Sequence, residues 1–281
     1  MKAETRTDSP RSIWVDGELL DADTAVLRAD DSAFTSGRGC YTTGRFEGGR
    51  VRFGERVVRR LGRDAHTLDL GKVDEPLCLE GMVALGKAHF GDGEGVVRLQ
   101  ASRDGAGFLH LVGVARPVGA EPAAWRAISP PFPHEGPAPY SGAKVTNHLL
   151  FAMAREQAMR AGVDEAALFD GEGFLIEGAR SNFVLALGDG SLATPDLRRG
   201  GVAGVAREIL LDEIPELEEA DLHRRTLEEI RELIAVNAVR GACPVVALDG
   251  KPVGDGKPGP VTKFLCGRYR DFAAGTGVPI E

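Results

Sequence analysis

The segment GVDEAALFDGEGFLIEGARSNFVLAL, residues 162–187, decides the fold because short apolar runs alternate in it with turn signals. The runs at 166–169 and 183–187 predict two strands, and the Asp170-Gly171 pair after the first run predicts a tight turn. The segment therefore predicts a sheet built from short strands that are joined by turns.

Glu177 is the unusual residue of this segment, since it follows the apolar run 174–176 and precedes the run 183–187. A carboxylate carried between two apolar strands costs free energy unless it has a partner. The partner is either the protonated pyridine nitrogen of a cofactor or a guanidinium, such as that of Arg180. Ser181 and Asn182, which come next, are either plain turn residues or ligands of an anion.

Upstream of this segment the pattern predicts hairpins and two helices. Apolar residues on both sides of Asp16-Gly17 predict a hairpin over 13–20. Helical spacing of apolar residues predicts helices over 55–70 and 75–89, and apolar runs predict strands over 50–53, 95–101 and 108–114. The first dozen residues are polar and are expected to be mobile.

The composition shifts to Pro, Ala and Gly between residues 116 and 140, where Pro130, Pro131 and Pro133 interrupt any regular element. We place a domain boundary near residue 120, which gives a small N-terminal α/β domain over 1–120 and a larger C-terminal domain over 121–281. Beyond the boundary, apolar spacing predicts helices over 147–161, 205–214 and 227–234. The predicted fold class is α+β or α/β with two domains.

Composition excludes several classes of function. The net charge of -8, from 34 Lys+Arg and 42 Asp+Glu, argues against nucleic acid and anionic membranes as partners. The four cysteines lie far apart, so neither a metal site nor a disulfide framework is expected. No stretch approaches the roughly 20 apolar residues of a membrane span. Since the N-terminal sequence also lacks the apolar core of a signal peptide, we expect a cytoplasmic protein.

Lysine is rare in this chain, and Lys144 is the only lysine between Lys87 and Lys251. It follows the Pro- and Gly-rich stretch, at the start of a predicted helix, among small and apolar neighbours. Desolvation can hold such a lysine neutral, and a neutral amine is what Schiff-base chemistry needs. The alternative is an ordinary solvated loop lysine.

Two further features could bind an anion. The glycine-rich run RRGGVAGVARE, residues 198–208, leads into a helix that begins near Val205, where unpaired N–H groups favour negative charge; the alternative is a plain connection. Arg60, on the predicted helix 55–70, is either a solvated rim residue or a phosphate ligand. A lysine, a carboxylate and a phosphate-type loop together are what a pyridoxal phosphate site requires.

These motifs, in their order and spacing, resemble the fold type IV pyridoxal-phosphate enzymes, also called class IV aminotransferases. The resemblance rests on Lys144 with Asn147 after it, on the segment 162–185 and on ATPDLRRGGVAGVARE, residues 193–208, and it extends from about Trp14 to about Arg270. It implies two α/β domains, with pyridoxal 5'-phosphate in the cleft between them, and a homodimer.

The resemblance also implies roles for individual residues. Lys144 would form the Schiff base with the cofactor and remove the proton next to the substrate nitrogen, and Glu177 would pair with the pyridine nitrogen. The implied ligands of the cofactor phosphate are Arg60, Ser181, Asn182 and the backbone of Gly204, Val205 and Ala206.

A branch of the family is suggested by GRGCYTTGR, residues 37–45, which is similar to a motif of the aminodeoxychorismate lyases. This resemblance implies elimination of pyruvate from 4-amino-4-deoxychorismate to give 4-aminobenzoate, a folate precursor, with Thr42 or Thr43 relaying a proton. The alternative is an aminotransferase acting on a D- or branched-chain amino acid with a 2-oxo acid. The candidate substrate-binding residues are Tyr41, Arg45, Arg98, Arg103, Asn237 and Arg240, and the sequence leaves open which arginines meet a carboxylate.

Overall fold

The structure, a computed structural model, describes residues 12–24, 26–120 and 122–275. The prediction of a mobile N-terminus concerns residues that lie almost entirely outside the described ones. The described residues divide into two compact units, of which the first comprises those up to 119 together with 145–147. The second comprises the described residues of 120–144 and 148–275. No helix of the described residues is long and apolar enough to cross a membrane.

The first unit is an antiparallel sheet with helices. Its strands, in the described residues, are β1 Ser12–Val15, β2 Glu18–Asp21, β3 Cys40–Glu47, β4 Arg50–Val51, β5 Glu94–Arg103 and β6 Leu109–Arg116, which pair in the order β2-β1-β6-β5-β3-β4. Its helices are α1 Ser32–Ser36, α2 Gly54–Thr67 and α3 Glu75–Phe90. The predicted hairpin at 13–20 and both predicted helices are therefore confirmed within a few residues at each end.

Strand β3 alternates strictly between buried and half-buried residues, although no strand was predicted there. The buried side carries Thr42 and Phe46, and the other side carries Tyr41, Thr43 and Arg45. Helices α2 and α3 cover the buried side with apolar residues, which include Val57, Val58, Leu61, Met82 and Leu85. Since side chains alternate along a strand, one short motif presents two different sets of side chains.

The second unit contains a mixed sheet. Its strands, in the described residues, are β7 Trp125–Ile128, β8 Glu165–Phe169, β9 Leu175–Gly178, β10 Asn182–Ala186, β11 Leu192–Pro195, β12 Leu217–Ala220, β13 Glu232–Asn237, β14 Gly241–Leu248 and β15 Lys251–Pro252. They are ordered β12-β11-β10-β13-β14-β7-β8-β9, with β15 beside β14. The helices are α4 Leu149–Arg160, α5 Val205–Glu213 and α6 Pro260–Ala274. The strands predicted at 166–169 and 183–187 are confirmed as β8 and β10.

The prediction of a helix over 227–234 is wrong. Residues Thr226–Glu228 form a single 3-10 turn, and Glu232–Asn237 is the strand β13. Leu227, Ile230, Leu233 and Ile234 have helical spacing, but the run 233–236 is buried on both faces between β10 and β14. A short apolar run of this kind is compatible with either element, and sheet pairing decides between them.

Helix α3 comes very close to strand β3 at Gly86. A Cβ atom at this position would lie 2.2 Å from Cδ2 of the buried Phe46 ring. We expect Gly86→Ala to lower the free energy of unfolding by about 1–3 kcal/mol, because the extra methyl group overpacks this contact.

Gly267 in α6 provides the matched control, since a Cβ atom there would meet nothing within 4 Å. Gly267→Ala should leave stability unchanged or raise it by up to about 1 kcal/mol, in line with helix propensity. Urea unfolding followed by circular dichroism measures both variants. Equal effects at the two positions would contradict the packing argument.

Candidate functional site

Glu177 lies inside strand β9 and is 3% exposed. Its Oε1 accepts a hydrogen bond from the Val202 N–H at 3.1 Å, and its Oε2 lies 3.5 Å from Asn182 Nδ2. Burial raises the pKa of the Glu177 carboxyl to about 7, although the charge on Lys144 opposes this rise. The carboxylate is therefore only partly compensated by the protein groups around it.

Arg180, the alternative partner for Glu177, pairs instead with Glu165. Its Nε lies 3.9 Å from Oε2 of Glu165, which is 2% exposed. The Ser181 hydroxyl donates to the same Oε2 at 2.7 Å. Among the described residues no guanidinium forms an ion pair with Glu177. A protonated pyridine nitrogen fits this arrangement because it would bring the missing positive charge.

The glycine-rich loop packs directly against Asn182. Its Nδ2 donates to the Val202 carbonyl at 2.9 Å, and a Cβ atom on Gly204 would lie 2.1 Å from its Oδ1. A side chain at position 204 would therefore displace the Asn182 amide. Helix α5 begins at the next residue, and the N–H groups of its first turn, which include those of Val205 and Ala206, have no acceptor within the helix. This arrangement suits a phosphate.

The loop that carries Lys144 is attached to the same glycine-rich loop. The Gly142 N–H donates to the Gly201 carbonyl at 3.0 Å, and the Ala203 N–H donates to the Gly142 carbonyl at 2.9 Å. Lys144 itself is half-buried. Within the second unit the structure therefore brings together Lys144, Glu177, Asn182 and the loop before α5, which are far apart in the sequence.

Arg60 is buried in the first unit and is not a solvated rim residue. It is 5% exposed, and its Nη2 donates to the Thr42 hydroxyl oxygen at 2.7 Å. The same hydroxyl donates to the Val57 carbonyl at 2.9 Å. Burial lowers the pKa of Arg60, against the charge of Asp64, and its Nε has no hydrogen-bond partner among the described residues. A buried guanidinium with an unused N–H suits an anionic ligand.

The arginines of the first unit differ in their partners. Arg45 forms an ion pair with Glu94 at 2.5 Å, and Arg103 lies 3.5 Å from an Asp69 carboxylate oxygen. Arg98 stacks on the Tyr41 ring at 3.7 Å from its centroid and donates to the Gln100 side chain at 3.3 Å. Burial lowers the pKa of Arg98, and no carboxylate of the described residues pairs with it.

Of the remaining two candidates, Asn237 is the last residue of β13 and Arg240 lies in the turn between β13 and β14. Oδ1 of Asn237 accepts hydrogen bonds from the Val239 and Arg240 N–H groups at 3.0 and 2.9 Å, so this side chain shapes the turn. The sequence analysis missed His134 and Glu165, which contact the site residues Glu177 and Ser181. Their only signal in the sequence was a histidine in a proline-rich loop and a carboxylate at the start of an apolar strand.

The raised pKa of Glu177 predicts a pH-dependent stability of the cofactor-free chain. The folded chain holds this proton up to about pH 7, whereas the unfolded chain releases it near the ordinary value of 4.5. The stabilising contribution is therefore complete below pH 4.5 and is lost as the pH rises through 7. Relative to Glu177→Gln, the unmodified chain should lose on the order of 3 kcal/mol across this range. Urea unfolding at pH 5 and pH 8 measures the difference, and a constant difference would contradict the raised pKa.

The sequence pattern of the amino-transferase class IV family matches residues 39–248. A branched-chain-amino-acid aminotransferase of Escherichia coli K12 is 31% identical over 123 residues, which cover 42% of this chain and 40% of the relative. The branched-chain-amino-acid aminotransferase-like protein 2 of Arabidopsis thaliana is 31% identical over 137 residues, which cover 48% and 24%. The chain spans about half, or less, of the length of the curated relatives it matches.

Solved structures show the same fold over nearly the whole chain. A branched-chain aminotransferase from Thermoproteus uzoniensis with norvaline superposes with a TM-score of 0.83 at 23% identity, covering 94% of this chain and 95% of that one. A PLP-bound hypothetical aminotransferase from Mycobacterium tuberculosis gives 0.79 at 23% identity, covering 95% and 99%. These similarities confirm the predicted fold class. The chain belongs to the class IV amino-transferase family, and its predicted cofactor, pyridoxal 5'-phosphate, is confirmed at the level of that family.

Proposed function

We propose that this chain is a pyridoxal-phosphate-dependent aminotransferase that exchanges the amino group of an apolar α-amino acid with a 2-oxo acid. The observation that carries the proposal is Arg98, a half-buried guanidinium that stacks on Tyr41 and has no carboxylate partner among the described residues. The names of the curated relatives support a branched-chain amino acid as the substrate.

The partners of the candidate arginines favour a substrate with one carboxylate. Arg45 is already neutralised by Glu94, and Arg103 lies beside Asp69 and donates to the Gly107 carbonyl. A dianionic substrate needs two uncompensated cations, because each buried carboxylate must be paired. Arg98 offers one such cation, which suits the single α-carboxylate of an apolar amino acid.

In the proposed reaction each of these residues has a separate role. When bound, pyridoxal 5'-phosphate supplies an electron-accepting ring that stabilises negative charge on the carbon next to the substrate nitrogen. Glu177 would hold the proton of the ring nitrogen in place, and Lys144 Nζ would take the proton from the substrate carbon. The first-turn N–H groups of α5 would hold the phosphate, and the family resemblance implies Arg60 as a further phosphate ligand. Arg98 would orient the substrate through its carboxylate.

An aminodeoxychorismate lyase is the second candidate function, and the motif at residues 37–45 favours it. For that reaction Thr43 is the better proton relay of the two threonines. The Thr42 hydroxyl is buried between Arg60 and the Val57 carbonyl, whereas Thr43 lies on the half-buried side of β3. Both functions use the same lysine and the same cofactor, so the reaction itself must distinguish them.

The half-reaction distinguishes the two functions. The holoenzyme is mixed with D- or L-valine, leucine, isoleucine and glutamate while its visible absorption is recorded. An aminotransferase loses the absorption of the aldehyde form and regains it when a 2-oxo acid is added. If the enzyme instead releases pyruvate and 4-aminobenzoate from 4-amino-4-deoxychorismate without an amino acceptor, the lyase proposal replaces ours. Lys144→Ala should abolish either reaction.

Arg98→Leu tests the carboxylate ligand. We expect KM for the amino acid to rise about 10- to 100-fold, since a charge-assisted hydrogen bond contributes about 1.5–3 kcal/mol. The dissociation constant of pyridoxal 5'-phosphate should not change. Arg103→Leu is the matched control and should change KM less than about threefold, because its guanidinium already has protein partners. Similar KM values for the two variants would contradict the assignment.

Substituting each of the two neighbouring threonines distinguishes a residue that supports Arg60 from one that relays a proton. Thr42→Val removes the hydroxyl that accepts from Arg60 and donates to the Val57 carbonyl. We expect cofactor affinity to fall about tenfold, because a buried donor left unpaired costs about 1–3 kcal/mol. Thr43→Val should leave that affinity unchanged. Equilibrium titration of the apoprotein with pyridoxal 5'-phosphate measures both, and equal affinities would refute the role given to Thr42.

We also propose, from the family resemblance, that the enzyme acts as a homodimer on small-molecule substrates. Light scattering coupled to size-exclusion chromatography measures the mass directly. A mass near twice 29.9 kDa supports this proposal, and a mass near 29.9 kDa contradicts it.

A further inference from the structure

His134 lies in the proline-rich loop between β7 and α4, and its position is set by several contacts. Its backbone N–H donates to the Phe169 carbonyl, at the end of β8, at 2.7 Å. Its ring is 7% exposed and meets the Phe151 ring edge-on, with 5.8 Å between the centroids. The imidazole is therefore held in a defined orientation by the strand on one side and by α4 on the other.

The hydrogen bonds of the ring define its tautomer. The Gly136 N–H donates to Nδ1 at 3.0 Å, so Nδ1 carries a lone pair rather than a proton. Burial lowers the pKa of His134, although the charges of Glu135 and Asp170 oppose this effect. The ring is therefore neutral at physiological pH, and a neutral imidazole that accepts through Nδ1 carries its proton on Nε2.

That Nε2 lies 3.8 Å from Oε1 of Glu177, and both side chains are buried. A small rotation of either group, or one bridging water, joins an N–H and a carboxylate at this distance. The charged groups that act on Glu177 are Lys144 and Arg207, which lower its pKa, and Glu165, which raises it. Oε1 also accepts the Val202 N–H, so the histidine would be a second donor to the same oxygen.

We propose that His134 is a positioning residue for Glu177: its neutral ring presents Nε2–H to the carboxylate, fixes the orientation of that group and favours its ionised form. The inference rests on the proposed pairing of Glu177 with the pyridine nitrogen of the cofactor. Because an ionised carboxylate is needed to keep that nitrogen protonated, His134 acts on the cofactor through Glu177 without touching the reacting atoms.

Two substitutions distinguish the effect of the Nε2–H donor from the effect of the shape of the ring. His134→Leu keeps an apolar side chain against Phe151 but removes the donor, whereas His134→Gln places an amide N–H near the former Nε2. In the cofactor-free full chain, the carboxyl band of Glu177 is titrated by infrared difference spectroscopy against Glu177→Gln. His134→Leu should raise the midpoint of this titration by about half a unit or more, and His134→Gln should restore it.

Cofactor affinity provides the second measurement. At pH 7, His134→Leu should weaken binding of pyridoxal 5'-phosphate about threefold or more, and the loss should shrink at pH 9, where Glu177 is ionised in every variant. His223→Gln is the matched control. His223 lies in the same unit and accepts the Arg225 N–H through Nδ1 at 3.1 Å, in the same local pattern, and it should have no effect on either measurement.

The unmodified protein gives an independent test if His134→Leu fails to fold. Nitrogen-15 NMR of histidine-labelled protein should show His134 as the neutral Nε2–H tautomer between pH 7 and 8. A proton on Nδ1, or unchanged Glu177 titration in a folded His134→Leu variant, overturns the inference. If Glu177→Gln binds the cofactor as tightly as the unmodified chain, the proposed role of Glu177 fails instead, and the infrared result still decides whether His134 acts on it.

Discussion

The burial of the Glu177 carboxylate is the constraint on which the second unit depends. Strand β9 is buried on both faces, so the carboxyl group has left water without gaining a guanidinium partner among the described residues. Such a group is tolerated only where dipoles and charges surround it. The Val202 N–H, the Asn182 amide and the charge of Lys144 meet this demand in part. What remains is an affinity for a cation, which the protonated pyridine nitrogen of the proposed pairing would satisfy.

The need to compensate the buried charge of Glu177 links the elements around this carboxylate. The glycine-rich loop reaches Glu177 through a backbone N–H, and a side chain at residue 204 would displace the Asn182 amide against which the loop packs. The loop before Lys144 pairs with the same segment through Gly142. In the sequence, the glycine-rich loop and the loop before Lys144 each look like an ordinary surface connection. In the structure both lie around the one buried carboxylate of Glu177.

In the first unit the alternation of side chains along a β-strand gives one short motif two separate sets of contacts. Strand β3 directs Thr42 towards helix α2, where the hydroxyl holds Arg60, and directs Tyr41 to the opposite side, where it stacks with Arg98. The likeness of the motif to a lyase motif and the family's aminotransferase relatives point to different reactions. The similarity to solved structures establishes the fold and leaves the substrate open, so the substrate that we propose rests on the partners of Arg98, Arg45 and Arg103.

The sequence by itself determined the family, the cofactor and the approximate bounds of most helices, because these depend on local spacing and on motifs of contiguous residues. Helix α3 is a good example, since it was predicted over 75–89 and spans Glu75–Phe90. The wrong prediction of a helix at 227–234 arose because non-local pairing, and not local spacing, decides the structure there. An apolar run there satisfies a helical pattern locally, and only pairing with β10 and β14 makes it a central strand.

Only the tertiary structure decided the partners of the buried polar groups. It showed that Arg180 pairs with Glu165, that Thr42 holds Arg60 and that Arg45 is already neutralised. It also placed His134 beside Glu177. These pairs join residues that are distant in the sequence, and their free energies depend on burial and on distances of a few ångströms. A local sequence pattern contains no information about burial or about these distances. It does show which residue types a pyridoxal 5'-phosphate site requires.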